Sequence, residues 1–359
     1  MNKPKIFKKV ALFSDLHLGR RCNSRIHNQD CLDYIDWFCN QLDKEHTHIA
    51  FLGDWYESRS AISIETLEYS YRALQKLNDV GLPVYFCVGN HDLNRRTTRE
   101  VHSVRMFNEF TNFVVIDEPK VVDNILFAPF LFDSEYSQLI KYNDLYAFMG
   151  HFEFKNFVLS GQSRLAVHGP DHKIFAGPKK IFSGHYHKRQ LSDNVVYIGN
   201  CFPMDFGDAD DSERGMCNYY VAEDRVEFID WPDCPKYQHI KLSKVLSEEW
   251  VPQPKTKVKC VIDADLGYQE ANELRDSMIE GFELRDFILE EDRAAKQGLL
   301  EGDDSKVIES LSEFTSIDEL VIKQLETIKA DKKSKIDADF LIEIFKSLPT
   351  DVTEGDQDA

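Results

Sequence analysis

The sequence lacks any apolar run approaching ~20 residues, the length that a membrane-spanning helix needs. This absence excludes a transmembrane protein, and the first residues also lack the apolar core of a secretory signal peptide. The eight cysteines are scattered and contain no Cys-x-x-Cys pair, so no tight disulfide framework is expected. We therefore expect reduced, mostly buried thiols and a cytoplasmic location.

Positive charge is scarce, because the 359 residues carry a formal net charge of −19. Taken alone, this value argues against a nucleic-acid partner. The excess is uneven, however, since residues 301–359 hold 16 acidic and 7 basic residues and so about half of it. Basic residues instead lie beside the motifs described below, where a cleft ringed by them would attract a polyanion: Arg20, Arg21, Arg95, Arg96, Lys188 and Arg189. Ordinary solvated surface charge is the alternative interpretation.

A repeated arrangement of short motifs dominates the first half of the chain. Asp15 and His17 stand two residues apart after the apolar run 10–13, and an extended backbone would place both side chains on one side. Four later stretches each show an apolar run, then a glycine, then a residue that can bind a metal. They end in GD at 53–54, GNHD at 89–92, GH at 150–151 and GHYH at 184–187.

These five stretches predict a single cleft. Continuous apolar runs are typical of strands buried on both faces, and in open α/β sheets ligands gather at the carboxyl ends of the strands. Convergence of the ends would bring together seven oxygen and nitrogen ligands: Asp15, His17, Asp54, Asn90, His151, His185 and His187. Any one of them alone would more often be a helix cap or a structural histidine, so the interpretation depends on the ordered set.

Seven ligands exceed what one ion accepts and suit two divalent ions that share a carboxylate. Mixed imidazole and carboxylate ligands with no thiolate favour manganese, iron or zinc over calcium or magnesium, and manganese is our prediction. His91, beside Asn90, is a candidate catalytic residue that would donate a proton or bind phosphate. Asp92 is a candidate for orienting its loop.

Periodicity and composition predict the organisation of the rest. Helical spacing predicts helices over 29–45, over 63–80 with Ser63 as cap, and near 99–110. Strands alternating with helices favour an α/β layered sandwich. Prolines between 232 and 254 mark a linker, after which a strand at 258–262 and a helix near 269–281 indicate a small second unit. Two amphipathic helices and an acidic tail follow 302–304. The predicted domains are therefore 1–232, 233–300 and 301–359.

In this order, the DLH, GD, GNHD, GH and GHYH motifs resemble the calcineurin-like metallophosphoesterases, over residues 8 to about 205. FSDLHLGR, the long interval before the GH motifs and the C-terminal units resemble the SbcD-type nucleases, including their phage versions. This resemblance implies a layered αββα sandwich, a small α+β capping unit that contacts DNA, and C-terminal partner-binding helices. It also implies a DNA exonuclease and endonuclease for recombination, repair and replication, with an SMC-like coiled-coil ATPase as partner.

The resemblance further implies a nuclease homodimer within a heterotetramer, formed through the helices after the GD and GNHD motifs. If the chain is phage-encoded, its location is the host cytoplasm. For the metal site it implies one ion held by Asp15, His17, Asp54 and His187. A second ion would be held by Asp54, Asn90, His151 and His185. His91 would then be the transition-state or leaving-group donor. Some relatives carry a histidine three residues after the bridging aspartate, where this chain has Glu57, so a role for that position in handling the substrate backbone stays open.

Three other functions compete with the nuclease. The protein-phosphatase motifs GDxxDRG and GNHE do not match GDWYES and GNHD, so a protein phosphatase is disfavoured. A phosphodiesterase for small nucleotides or other phosphoesters stays open, because a ligand set does not encode substrate size. A scaffold that has lost its metals is disfavoured, because every ligand is present.

Overall fold

The computed structural model describes residues 2–159 and 165–291, together with Leu341 alone. The two amphipathic helices and the acidic tail expected in 301–359 lie outside the described residues, apart from Leu341. Residues Met1–Glu291 form one compact unit, and the domain boundaries at 232 and 300 stay predictions.

The described strands are short and numerous. They are β1 (Lys9–Phe13), β2 (His46–Phe51), β3 (Val84–Cys87), β4 (Leu93–Arg95), β5 (Thr98–His102), β6 (Phe113–Ile116), β7 (Lys120–Val122), β8 (Ile125–Ala128), β9 (Ala147–Gly150), β10 (Lys180–Ser183), β11 (Gln190–Ser192), β12 (Val195–Tyr197), β13 (Gly215–Tyr220), β14 (Arg225–Asp230), β15 (Lys236–Lys241), β16 (Thr256–Ile262) and β17 (Asp286–Glu291).

Two six-stranded sheets form the body of the protein. The first has the order β14-β13-β1-β2-β3-β6, and the second has the order β11-β12-β10-β9-β8-β7. Each sheet contains four consecutive parallel strands: β1, β2, β3 and β6 in one sheet, and β8, β9, β10 and β12 in the other. Carboxyl ends of parallel strands share one sheet edge, so the motifs that follow β1, β2, β3, β9 and β10 lie at corresponding edges.

The described residues form fewer helices than strands. The helices are α1 (Arg20–Asn23), α2 (Arg25–Gln41), α3 (Ile64–Asp79), α4 (Asp133–Tyr136), α5 (Leu242–Leu246) and α6 (Tyr268–Phe282), with 3₁₀ helices at Arg105–Glu109, Ser137–Tyr142, His172–Phe175 and Phe206–Asp208. The predicted helices over 29–45 and 63–80 correspond to α2 and α3. The Ser63 side chain caps α3 by accepting a hydrogen bond from the Thr66 N–H.

The prediction of a helix near 99–110 was wrong. That segment is β5, paired with β4 in a two-stranded hairpin, followed by the 3₁₀ helix Arg105–Glu109. The Asp92 carbonyl accepts hydrogen bonds from both the N–H and the hydroxyl of Ser103, which fastens the end of the hairpin to the GNHD loop. A tertiary contact therefore overrides the local helical spacing.

Both faces of β1 are buried, which explains why its apolar run is continuous. Val10 and Leu12 pack between the two sheets, whereas Ala11 and Phe13 pack towards α2 and α3, and all four are fully buried. Burying each larger apolar side chain contributes about 1.5–3 kcal/mol. The outer face of the second sheet is covered by α4, two 3₁₀ helices and loops rich in phenylalanine and tyrosine. The predicted layered α/β sandwich is thus confirmed.

A smaller parallel sheet, β15-β16-β17, follows the two large ones and packs against α5 and α6. The strand predicted at 258–262 lies within β16, and the helix predicted near 269–281 is α6. Arg285, just before β17, pairs with both carboxylate oxygens of Asp30 on α2. This buried ion pair joins the small sheet to the helical face of the first large sheet.

All eight cysteines are free thiols, and six of them are buried, as expected. Among the described residues, no helix is both long and apolar enough to cross a membrane.

His48 provides a test of acid stability that is separate from the metal-binding motifs. Its ring is 8% exposed and lies 4.2 Å from the Phe7 ring, and burial lowers its pKa to about 4. Since the unfolded value is about 6.5, the neutral folded form is fully stabilised above that pH, and stability is lost as the pH falls towards 4. His48→Phe should therefore reduce the loss of unfolding free energy between pH 7 and pH 5 by on the order of 1–2 kcal/mol after solvent screening, and the melting temperature should fall correspondingly less.

Calorimetry at both pH values measures this effect. The matched control is His239→Phe, at a half-exposed histidine of the small sheet, which should leave the pH dependence as in the wild type. An identical fall in melting temperature for the wild type and His48→Phe would contradict the assignment.

Candidate metal centre

The predicted ligands meet where the carboxyl ends of the two large sheets lie side by side. Asp15, Asp54 and Asn90 follow strands of the first sheet, and His151 and His185 follow strands of the second. The Asp15 carboxylate accepts hydrogen bonds from the His185 N–H at 3.2 and 3.1 Å, which joins the two sheets directly. The cleft therefore depends on how both sheets are stacked.

Within the described part of the chain, three groups of side chains are close enough to hold an ion. They are Asp15–His17–His187, His17–Asp54–His91 and Asp54–His151–His185, each with ligand atoms within 4.8 Å of one another. Asn90 is the remaining predicted ligand. Its side-chain oxygen lies 2.9 Å from both His151 Nε2 and His185 Nδ1. All seven predicted ligands are thus brought together, and His91 lies among them.

The backbone at these ligands adopts conformations that most residues avoid. Asp15, His17, Asp54 and His185 have φ values of 54°, 51°, 62° and 83°, in the left-handed region. Each such residue costs of order 1–3 kcal/mol and persists only where its surroundings hold it. This strain is located at the residues that would bind the ions.

Two glycines make room for the ligands. A Cβ atom on Gly53, whose φ is 105°, would lie 2.3 Å from His151 Nδ1. A Cβ atom on Gly89 would lie 2.1 Å from Asp54 Oδ1. The glycines of the GD and GNHD motifs are therefore required by the close approach of one ligand loop to another.

Asp92 organises two of the loops, in agreement with the role suggested by its position. Its carboxylate accepts hydrogen bonds from the N–H groups of four residues at 2.9–3.2 Å: Asp54, Trp55, Tyr56 and Gly89. Burial and the nearby Asp54 charge raise the pKa of Asp92 to about 7. The GD and GNHD loops are consequently held in one fixed relation.

Hydrogen bonds behind the imidazoles determine which nitrogen faces the cleft. His151 Nδ1 lies 2.6 Å from the Leu52 carbonyl oxygen, to which only an N–H can donate. In the neutral ring, which is the form that binds a metal ion, His151 Nε2 therefore carries the lone pair and faces Asn90 and Asp54. At the other end of the site, His17 Nε2 and His187 Nε2 lie 3.2 Å apart. Imidazole nitrogens and carboxylate oxygens that converge in this way form a donor set that fits divalent transition-metal ions.

The carboxylates of the cleft differ, because burial raises the pKa of Asp15 whereas the pKa of Asp54 is lowered. Burial alone would raise the pKa of Asp54, but His151 and His91 beside it hold that pKa well below its ordinary value. Burial would lower the pKa of His151, but the Asp54 carboxylate raises it to about 9. Burial lowers the pKa of His187, and neighbouring His17 adds to this effect. Negative charge is thus concentrated on Asp54, at the middle of the site.

The six basic residues predicted to contact DNA have different surroundings. Arg20 donates to both Glu57 and Asp205, and Arg21 donates to the Met204 carbonyl and lies over the Tyr237 ring. Arg189 pairs with an aspartate of β14 and is mostly buried. Lys188 is half-buried, whereas Arg95 and Arg96 are exposed beside the GNHD loop. A role of these residues in DNA binding stays a prediction.

Two glutamates near the ligands were not predicted to have a role. Glu57 Oε2 lies 2.7 Å from His17 Nδ1, and Glu153 Oε1 lies 3.8 Å from His185 Nε2. The sequence did draw attention to position 57, because some relatives have a histidine there. It gave no indication that Glu153 lies near the site, since nothing around residue 153 predicts proximity to His185.

A sandwich of two sheets with imidazole and carboxylate ligands at the strand ends is typical of metal-dependent phosphoesterases. Residues 8–197 match the calcineurin-like phosphoesterase family, and the chain belongs to this family. The resemblance seen in the motifs is thereby confirmed.

Relatives of the chain include a nuclease subunit. Exonuclease subunit 1 of Enterobacteria phage T4 is 27% identical over 231 residues, which cover 62% of this chain and 67% of that protein. Among solved structures, a dimetal phosphatase from Danio rerio is 10% identical, with a TM-score of 0.37 over 62% of this chain and 95% of its own. Nuclease MPE from Pseudomonas putida is 15% identical, with a TM-score of 0.30 over 61% of this chain and 87% of its own. Likeness this weak says nothing further about the chemistry of the chain.

Proposed function

We propose that this protein is the nuclease subunit of a DNA-processing complex and hydrolyses phosphodiester bonds with two divalent ions, preferably manganese. The observation that carries the proposal is the convergence of seven metal-ligand side chains and His91 at the joined strand ends. Similarity to a phage exonuclease subunit favours DNA over a small phosphoester as substrate. The resemblance to SbcD-type nucleases adds roles in recombination, repair and replication.

The positions of the ligands support two ion sites with Asp54 between them. Asp54 Oδ2 lies 3.8 Å from His17 Nε2 and 3.4 Å from His151 Nε2. Asp15, His17 and His187 would complete the first site with Asp54, and Asn90, His151 and His185 would complete the second. Two such ions supply Lewis-acid stabilisation of a phosphoryl oxygen and a nucleophile at neutral pH.

His91 is suited to act on the substrate from beside these sites. Its backbone N–H donates to Asp54 Oδ1 at 2.8 Å, and its Nδ1 lies 2.8 Å from the Glu57 carbonyl oxygen. Since Nδ1–H is held by that carbonyl, Nε2 is the nitrogen left to exchange a proton or to hydrogen-bond a phosphate oxygen.

Arg95 and Arg96 provide the test of DNA as substrate. Neutralising both with glutamine should weaken binding of duplex DNA and reduce its salt dependence, by a slope of about one for each lost phosphate contact. Hydrolysis of a small substrate, bis(p-nitrophenyl) phosphate, should change little, because the exposed arginines lie outside the ligand set. Fluorescence anisotropy between 50 and 200 mM salt measures the first effect.

The matched control neutralises Lys8 and Lys44, which are exposed at the amino ends of β1 and β2 and so at the opposite edge of the sheet. It changes net charge by the same amount and should leave the salt slope unchanged. Equal losses on DNA and on the small ester after the Arg95 and Arg96 changes would favour the small-molecule phosphodiesterase instead.

Dimerisation is the next element of the proposal. The resemblance implied contact through helices after both the GD and GNHD motifs, but the chain after GNHD forms the β4–β5 hairpin and a 3₁₀ helix. Of these two segments, the one after GD contains a long helix, α3. Two apolar side chains of α3 are exposed, Ile64 at 87% and Tyr71 at 52%, and Met106 of the 3₁₀ helix is 63% exposed. We place the dimer contact at these side chains, because exposed apolar groups of this size favour association.

The C-terminal residues are proposed to bind an SMC-like coiled-coil ATPase. Their apolar residues recur at three- and four-residue spacing, the pattern that docks a helix in a groove. Deleting residues 303–359 should leave a folded, manganese-dependent nuclease that no longer co-purifies with a candidate ATPase from the same genome. Pull-down and nuclease assays on the full and shortened chains measure this. Aggregation of the shortened chain, or undiminished ATPase binding, would assign these residues to the core of the protein itself.

A further inference from the structure

Glu57 contacts the metal centre through both its side chain and its backbone. Its Oε2 makes an ion-pair contact with His17 Nδ1 at 2.7 Å, bent away from ideal hydrogen-bond geometry, and its carbonyl oxygen lies 2.8 Å from His91 Nδ1. The two imidazoles are neighbours, with ring centroids 4.9 Å apart. One residue that is not in the predicted ligand set therefore lies behind both histidines.

The Glu57 side chain is itself held in place. Arg20 Nη1 donates to both of its carboxylate oxygens at 3.1 Å, and Arg20 Nη2 donates to Asp205 Oδ2 at 2.6 Å. The Glu57 N–H donates to the Leu18 carbonyl at 3.0 Å, which fixes the backbone next to His17. Glu57 cannot turn away from His17 without breaking these charge-assisted bonds.

We propose that Glu57 is a positioning residue of the metal centre, whose carboxylate fixes His17 in the tautomer that carries its proton on Nδ1 and its lone pair on Nε2. A carboxylate behind a ligand histidine orients the ring and makes the opposite nitrogen a stronger donor. His17 Nε2 is the atom that faces His187 Nε2 and Asp54. This inference rests on the two-ion site of the proposed function.

The other end of the site provides a comparison within the same molecule. Glu153 Oε1 lies 3.8 Å from His185 Nε2, which is beyond hydrogen-bond distance. Glu153 is therefore expected to affect its ligand histidine less than Glu57 affects His17. The two carboxylates form a matched pair for substitution.

The test measures metal affinity rather than activity. Chelator-treated protein is titrated with MnCl₂ and followed by calorimetry. Glu57→Met keeps the length of the side chain but removes the acceptor, and should weaken one of the two manganese sites by about 10–100-fold while the other keeps its affinity. Glu57→Gln keeps an acceptor oxygen and should recover most of that loss. Glu153→Gln should have the smaller effect.

Arg20→Met tests whether manganese binding is weakened by loss of the surrounding ion pairs or by loss of the Glu57 carboxylate that positions His17. It removes the Arg20 contacts but keeps the contact between Glu57 and His17, so it should weaken manganese binding less than Glu57→Met. Equal losses in these two variants would overturn the inference. Wild-type manganese affinities in a folded Glu57→Met protein would also overturn it and leave the two-ion proposal intact. A wild-type protein that binds fewer than two ions would contradict the two-ion proposal itself.

A second measurement needs no Glu57 variant. Long-range ¹H–¹⁵N correlation spectra of metal-free, histidine-labelled protein distinguish the two neutral tautomers, and the His17 signals are assigned by their absence in His17→Gln. We expect His17 to carry its proton on Nδ1. A neutral His17 ring with its only proton on Nε2 would overturn the inference even if every Glu57 variant failed to fold.

Discussion

Asp54→Asn should lower bound manganese from about two ions per chain to about one and reduce phosphodiester hydrolysis by on the order of 10³-fold. The side chain is 2% exposed and lies between the two groups of histidines, within 3.8 Å of His17 Nε2 and 3.4 Å of His151 Nε2. Two divalent ions ~3.5–4 Å apart repel each other strongly, and an ionised carboxylate between them offsets that repulsion. A neutral amide of the same shape does not.

Elemental analysis after gel filtration measures the ion content, and hydrolysis is assayed on the same samples. Asp208→Asn is the matched control, because Asp208 is equally buried but accepts its hydrogen bonds from Asn200 and the Met204 N–H, outside the metal-ligand groups. The control should retain two ions. Two ions bound at wild-type affinity by Asp54→Asn would show that Asp54 does not bridge them.

His91→Ala should have the second largest effect, with bound manganese retained and the rate lowered by ~10²–10⁴-fold, as expected for a positioned proton donor or acceptor. The prediction distinguishes two roles, because His91 lies close enough to His17 and Asp54 to be a metal ligand itself. Asn90 already supplies an oxygen from the same loop, and His91 Nδ1 is occupied by the Glu57 carbonyl. We therefore assign His91 to the substrate and not to an ion.

The decisive measurement is metal content beside single-turnover rates from pH 6 to 9, so that a shifted optimum is not mistaken for a lost rate. His239→Ala, at the half-exposed histidine of the small sheet, is the control for loss of an imidazole and should behave as wild type. Loss of an ion in His91→Ala would make His91 a ligand. Normal turnover across the pH range would remove it from the reaction altogether.

The ligand set was accessible from sequence because each ligand follows one of five strands by only a few residues. An apolar run such as 10–13 indicates a strand buried on both faces, and the polar residues just after it must lie at the end of that strand. The shared edge of one parallel sheet explains why Asp15 and Asp54 lie close together. The meeting of His151 with them depends on the stacking of the second sheet against the first.

The segment near 99–110 shows where local pattern fails. Its apolar spacing fits a helix, but Leu93 pairs with His102 across the hairpin, and Ser103 bonds to the Asp92 carbonyl. These contacts join residues across the turn of a hairpin, which helical periodicity does not register. Local pattern also cannot predict the ion pairs of the basic residues. Arg20 pairs with Asp205, 185 residues away, and Arg189 pairs with Asp230, 41 residues away along the chain.

By itself, the sequence determined the family, the order of the ligand motifs and the chemical types of the ligands, because all of these are encoded in short contiguous stretches. Only the tertiary structure decided what stands behind each ligand. Glu57 reaches His17 from a different strand end, Asp92 joins two loops through four N–H groups, and the Leu52 carbonyl orients His151 from the opposite sheet. The physical reason is that hydrogen-bond partners are selected by distance and angle in space, which the packing of two sheets fixes and no local pattern encodes.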